Sequence, residues 1–86
     1  FGRIYIEAMI ASVPVLAVRG GAANELIDNM QNGILVESND PDQTSKWLLT
    51  LLSDQTLRSN LVSNGLNFSR NFSPKNIVEQ LIDTLN

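Results

Sequence analysis

From Gly2 to Ala11 the chain is apolar nearly all round, with only Arg3 and Glu7 polar, which predicts a buried helix. Val13 to Val18 follows as an unbroken apolar run rich in valine, with Pro14 where a strand start tolerates it. Apolar character on both faces is what a parallel strand covered by helices on each side requires. The pair Gly20-Gly21 then breaks the chain, and Glu25 to Met30 reads as a short helix. Asn32-Gly33 is a turn signal, and Ile34-Leu35-Val36 reads as a second buried strand.

The second half is helical in pattern. Asp40-Pro41, with Gln43 three residues beyond the cap, combines an N-cap, a proline at the first helical position and a capping box. The apolar face of that helix is Trp47, Leu48, Leu51 and Leu52, which makes Trp47 a core residue. Asp54 caps a further helix carrying Leu57, Leu61, Val62 and Phe68. Ser73-Pro74 opens a last one, with the stripe Ile77, Val78, Leu81, Ile82 and Leu85.

This order predicts an α/β fold: the trailing half of a Rossmann-like domain, two parallel strands with crossover helices, followed by three C-terminal helices. Residues 1–40 hold the helix-strand-helix-strand part and residues 41–86 the helical tail of one partial domain. Two strands make a poor sheet by themselves. Val15, Leu16, Ile34 and Leu35 expect strand neighbours that the sequence does not contain, so a truncated domain is predicted. Standing alone, such a piece is expected to self-associate through its sheet edge.

Composition removes several kinds of chemistry. The 86 residues include no cysteine and no histidine, so thiolate nucleophiles, Ser-His-Asp catalysis and nitrogen or sulfur ligands for zinc are absent. The acids are scattered, with no oxygen cluster for calcium, and no cofactor or metal is expected. The net charge is −3. Its excess of acid falls in residues 1–40, and no basic stripe exists to neutralise a nucleic-acid backbone. The apolar run Ala8 to Val18, interrupted by Ser12 and Pro14, is short of the roughly 20 residues that span a bilayer. No secretory leader pattern is recognisable, so the sequons at Asn67 and Asn71 read as chance.

Candidate chemistry gathers at the front. Phe1-Gly2-Arg3-Ile4 followed by Glu7-Ala8-Met9 predicts a loop turning straight into a helix, whose first amides suit a phosphate. Gly2 admits close approach of a ligand to backbone. Glu7 is placed to accept hydrogen bonds from two adjacent ribose hydroxyls. The residues alone favour the plainer reading, Glu7 as a structural acid paired with Arg3 one turn earlier. Glu25 reads as an acid stabilising the start of a short helix. Gly20-Gly21 lacks the G-x-G-x-x-G spacing and any P-loop lysine, which counts against a dinucleotide-dependent oxidoreductase.

Several of these strings, in order, resemble the retaining GT-B glycosyltransferases marked by two glutamates separated by seven residues, the group 1, family 4 type. Phe1-Gly2 matches its F-G, Glu7-Ala8-Met9 its E-A-M, Pro14-Val15 its P-V, and Gly20-Gly21 with Glu25 its G-G and following acid. Asn32-Gly33 before Ile34-Leu35-Val36 matches N-G-x-L-V, and Asp40-Pro41 and Phe72-Ser73-Pro74 match the helix starts of its tail. The likeness spans essentially the whole chain.

The resemblance implies a carboxyl-terminal part of an enzyme that moves a sugar from a nucleotide-diphosphate-sugar donor to a hydroxyl acceptor, with retention and without a bound metal. The acceptor, a carbohydrate or a lipid-linked one, would be met by an N-terminal domain. Glu7 takes the place of the second glutamate, on the donor ribose, and the backbone of Phe1, Gly2, Arg3 and Ile4 the place that contacts the diphosphate. Gly20, Gly21 and Glu25 are lesser donor-binding candidates. The first glutamate belongs two positions ahead of Phe1, and the basic pair that neutralises the diphosphate lies further upstream. No catalytic residue is therefore assigned within the chain, which alone is expected to be inactive. A cytoplasmic setting, peripheral to the inner membrane face in some members, is implied. Three positions depart from the family pattern: Ser12 replaces a glycine at the helix exit, Ala22 stands at the second glycine when Gly21 is aligned with the first, and Arg3 occupies an often apolar position. The alternative from the residues is a non-catalytic Rossmann-like module for assembly or weak nucleotide binding, with Glu7 structural.

Overall fold

A computed structural model describes residues 2–72 of the protein. Phe1 and the helix predicted from Ser73-Pro74 lie outside the described residues. The element order is α1 (Arg3–Ile10), β1 (Leu16–Val18), α2 (Gly21–Leu26), β2 (Ile34–Val36), α3 (Pro41–Ser53) and α4 (Gln55–Ser69). The α/β class, the two parallel strands and the crossover helix between them are as the pattern predicts.

β1 and β2 pair in parallel with Leu16 opposite Ile34, Ala17 opposite Leu35 and Val18 opposite Val36. Period-two alternation then builds two cores on opposite faces of the sheet. One joins Ala17 and Leu35 to Ile6 and Met9 of α1, Ala23 of α2, Val15 and Ile27. The other joins Ile34 and Val36 to Leu51 of α3 and Leu61 of α4, with Leu16, Trp47 and Leu57 packed beside them. α4 serves both faces, since its Phe68 packs on the first cluster. Between these contacts, Asn64 donates to Gln31 O (2.8 Å), and Gly65 lies against Met9, close to Asn32 O. The helix thus crosses the amino ends of the strands.

α1 is less buried than its composition predicts. Ile6 and Met9 face the core, whereas Ile4 is 67% exposed and Ile10 is also exposed. A sheet two strands wide covers one stripe of a helix, and the rest of its apolar surface faces outward. Ser12 ends the helix at φ 62°, with Val13 N–H donating to Ala8 O (2.9 Å) and Ser12 N–H to Met9 O (3.2 Å). That paired closure usually employs glycine, and a non-glycine residue there costs about 1–2 kcal/mol. Val13 is consumed by this exit and is exposed, so β1 starts later than the apolar run.

α2 corrects the reading around the glycine pair. The helix does not begin at Glu25; it spans Gly21–Leu26 and is over by Ile27. Gly20, at φ 139°, is its N-cap, and the Gly20 N–H donates to Asn24 Oδ1 (2.8 Å). Asparagine side chains also shape the return to β2. Buried Asn32 accepts from Asp28 N–H (2.8 Å) and donates to Leu26 O (3.0 Å), while Asn29 Oδ1 accepts from Leu35 N–H (2.9 Å). Such side chains stand in for a backbone turn.

Asp40 caps α3 by accepting from Gln43 N–H (3.0 Å), as the pattern predicts. The capping box is only half made, because Gln43 Oε1 turns to Glu37 N–H (3.3 Å) instead. Trp47 and Leu51 pack inward, but Leu48 and Leu52, predicted on the same face, are exposed, Leu52 by 76%. Trp47 and Leu51 stand one turn apart on a single stripe. Leu48 and Leu52 are turned away from it, beyond the cover of β2 and α4. Asp54 closes α3 and caps α4, accepting from Leu57 N–H (2.9 Å), and Arg58 reaches back to the carbonyls of Leu51 and Leu52.

Candidate functional site

α1 runs antiparallel to β1, so its start lies at the carboxyl edge of the sheet, near where β1 gives way to Gly20. Packing confirms the placement. A Cβ built on Gly2 would stand 2.0 Å from Leu26 Cδ1 and 3.3 Å from Ala22 Cβ. A side chain at position 2 would require Leu26 to change rotamer and would crowd Ala22. α2 thus packs closely against one side of Gly2. No side chain caps α1, no acid occupies its first turn, and its first backbone bond shown is Tyr5 N–H to Gly2 O (3.1 Å). That leaves the positive end of the helix open to an anion.

Glu7 lies one turn further along. Its Oε1 is 3.6 Å from Arg3 Nε, the predicted i, i+4 ion pair, which is beyond hydrogen-bond reach. The same oxygen is shielded from solvent and accepts no hydrogen bond among the described residues. The Glu7 side chain as a whole is 42% exposed, so this shielded oxygen lies near the surface and not in the core. Ile4 presents its side chain outward, leaving backbone as its only means of holding a ligand next to Gly2.

The glycine pair sits at the same end. Gly20 and Gly21 take φ 139° and φ 49°, and nothing lies within 4 Å of a Cβ built on either. Conformation, not crowding, demands glycine there. Next to them Arg19 donates its backbone N–H to Val36 O (2.8 Å) and its Nε to Glu37 Oε1 (2.8 Å). This pair ties together the carboxyl ends of both strands, and sequence reading missed it.

Glu25 is not part of this group. It lies in the last turn of α2, so it does not favour the helix dipole, contrary to expectation. It lines an open groove of about 440 Å³ together with Asn24, Leu26, Asp28, Gln31, Asn64 and Phe68, reaching the amino-end side of the sheet. The donor-site candidates Gly2, Arg3, Ile4, Glu7, Gly20 and Gly21 do not line that groove. Among the described residues no group of acids is arranged to hold a metal ion, and no helix is long and apolar enough to cross a membrane.

Comparison with known proteins gives these features a context. The family model described as glycosyl transferases group 1 matches residues 1–68. An uncharacterized glycosyltransferase of Methanocaldococcus jannaschii is 38% identical over 73 residues, covering 85% of this chain and 21% of the relative. A D-inositol 3-phosphate glycosyltransferase of Salinispora tropica is 32% identical over 83 residues, covering 96% of this chain and 17% of that protein. Among solved structures, Anabaena HepE in complex with UDP-glucose superposes with a TM-score of 0.79 at 30% identity, over 99% of this chain and 24% of HepE. The chain thus spans about a fifth of the length of these relatives. With the match running through the Phe-Gly, Glu-Ala-Met and Asn-Gly strings onto a shared fold, the chain belongs to the glycosyl transferases group 1 family.

Proposed function

We propose that this chain is the carboxyl-terminal part of the donor-binding domain of a retaining glycosyltransferase. The reaction moves a sugar from a nucleotide-diphosphate sugar to a hydroxyl of a carbohydrate or lipid-linked acceptor. The described residues up to 40 supply the donor-facing edge, and α3 and α4 form a helical tail behind it.

The observation that carries this reading is the shielded, unbonded oxygen of Glu7. A polar atom withdrawn from water is ordinarily hydrogen-bonded, and leaving it without a donor costs about 1–3 kcal/mol. Arg3 offers it charge but no hydrogen bond at 3.6 Å. Two adjacent hydroxyls of a ribose are the donors such a carboxylate lacks. The open start of α1 then faces the diphosphate, where helix-end amides offset the negative charge that builds as the sugar departs. HepE, which shares this fold, was crystallised with UDP-glucose and with UDP, and this supports a nucleotide-sugar donor. The first glutamate and the basic pair would come from upstream sequence, so the 86 residues alone transfer no sugar. A cytoplasmic protein, at or near the inner membrane face, suits such a donor.

The test is calorimetric titration of the complete protein with a panel of nucleotide-diphosphate sugars, for the native sequence and for Glu7→Gln. Weaker binding in the variant, with the fold intact, is the expected result. Equal binding supports the second reading, a non-catalytic Rossmann-like module in which Glu7 only balances Arg3; the ion pair between them is the observation in its favour. In either case β1, paired on one side only among the described residues, presents a free edge through which isolated copies self-associate.

A further inference from the structure

We infer that Arg19, aimed by Glu37, is a cation that binds the diphosphate of the nucleotide donor; this rests on the donor-site reading above. Its backbone fixes it where that role requires. The Arg19 N–H to Val36 O bond carries the ladder one residue past β1, so Arg19 is pinned at the carboxyl edge of a parallel sheet. Ligands of open α/β sheets bind at that edge. Gly2 packs on Ala22, three residues beyond Arg19, so the start of α1 and the Arg19 loop share one end of the molecule.

The side chain is arranged for a second partner. Glu37 takes only Nε, and the two terminal nitrogens of the guanidinium have no hydrogen-bond partner among the described residues. A planar fork held by one prong presents the other donors in a fixed direction, a geometry suited to phosphate oxygens. Beside it the bare backbone of Gly20 and Gly21 leaves open space. Stability does not account for the pair, because both side chains are about half exposed and ion pairs of that kind contribute little. Of the other described bases, Arg3 stands at the start of α1 with its Nε turned to Glu7 Oε1 at 3.6 Å, and the remaining three are not placed for the task. Arg58 is committed to the carbonyls ending α3, Arg70 donates to Asn67, and Lys46 lies along α3.

The test is titration of the complete protein with UDP, GDP and ADP, the tightest then being compared with its monophosphate. Arg19→Met is expected to weaken the diphosphate about tenfold, the scale of one charge-assisted hydrogen bond, while changing the monophosphate less than about twofold. Glu37→Gln keeps an acceptor for Nε but removes a negative charge beside the ligand, so it is expected to bind the diphosphate as tightly as the native protein or up to about threefold tighter. Lys46→Met, which removes a distant positive charge, leaves both affinities unchanged. A purely structural pair would move Arg19→Met and Glu37→Gln in the same direction, or neither, and that overturns the inference while Glu7→Gln still weakens binding. Should Glu7→Gln also have no effect, or no nucleotide bind at all, the donor-site reading itself fails and this inference goes with it. If Arg19→Met does not fold, Arg19→Lys and the sign of the Glu37→Gln effect decide the matter.

Discussion

Met9 of α1 and Gly65 of α4 meet so closely that a Cβ at position 65 would lie 3.1 Å from Met9 Cγ and 3.5 Å from Met9 Cβ. Met9 is 2% exposed, so it has little room to retreat. Gly65→Ala adds about 1 kcal/mol of helix propensity and loses a similar amount to crowding. Its denaturation midpoint is expected within about 0.5 kcal/mol of the native value. Gly65→Leu forces the two helices apart and is expected to cost about 2 kcal/mol or more.

Ser12→Gly is expected to stabilise the protein by about 0.5–1 kcal/mol. The left-handed φ of 62° strains serine and not glycine, which outweighs the larger unfolded-state entropy of glycine. Urea denaturation measures this as a raised midpoint at unchanged slope. An unchanged or lowered midpoint would contradict the geometry of the α1 exit.

Asn32→Ala strips the turn between α2 and β2 of two bonds. It leaves Asp28 N–H and Leu26 O without the partners they have at 2.8 and 3.0 Å. Asn32 is 6% exposed, so water does not readily replace it. A loss of about 2–3 kcal/mol is expected, visible in the same denaturation experiment. Asn32→Asp is expected to be no better, because it sets a carboxylate against a carbonyl.

Glu7→Gln in the complete protein is expected to weaken nucleotide-sugar binding by about 1–3 kcal/mol, the scale of a charge-assisted hydrogen bond. The thermal midpoint without ligand is expected to move little, since the part-buried pair with Arg3 stands 3.6 Å apart, beyond hydrogen-bond reach, and contributes about 1 kcal/mol. The combination separates a ligand-binding acid from a structural one.

Val18→Lys puts a charge on the unpaired edge of β1, where Val18 is half exposed. Sedimentation of the isolated chain is expected to show less association for the variant than for the native sequence. Identical association would mean that copies meet elsewhere, for which the exposed leucines of α3 and the exposed isoleucines of α1 offer other apolar surface.

Features written in local chemistry were legible in the sequence. Asp40 and Asp54 announce the starts of α3 and α4 because a cap depends on residues three positions apart. Ile34-Leu35-Val36 is recognisably a strand because burial on both faces leaves no polar position. α2 was misplaced because Gly21-Ala22-Ala23-Asn24 carries no apolar stripe. Its start depends on the left-handed Gly20 and the bond from Gly20 N–H to Asn24, a glycine-to-asparagine spacing that can be searched for. The exposed sides of α1 and α3 are not legible as such because composition does not reveal how wide the covering sheet is. In the site, the Arg3–Glu7 pair follows from helical spacing. The Arg19–Glu37 pair is 18 residues apart and exists only through the register that sets Val18 opposite Val36.

The path of α4 ties these pieces to one fate. A single rod gives Leu57 and Leu61 to one side of the sheet and Phe68 to the other, so neither side can melt while its opposite number stays intact. Amide exchange in the two layers should therefore slow and quicken in step, as in a structure with one cooperative unit. Loosening at the foot of the strands would then be transmitted to the opposite rim, where Arg19 and Glu7 stand.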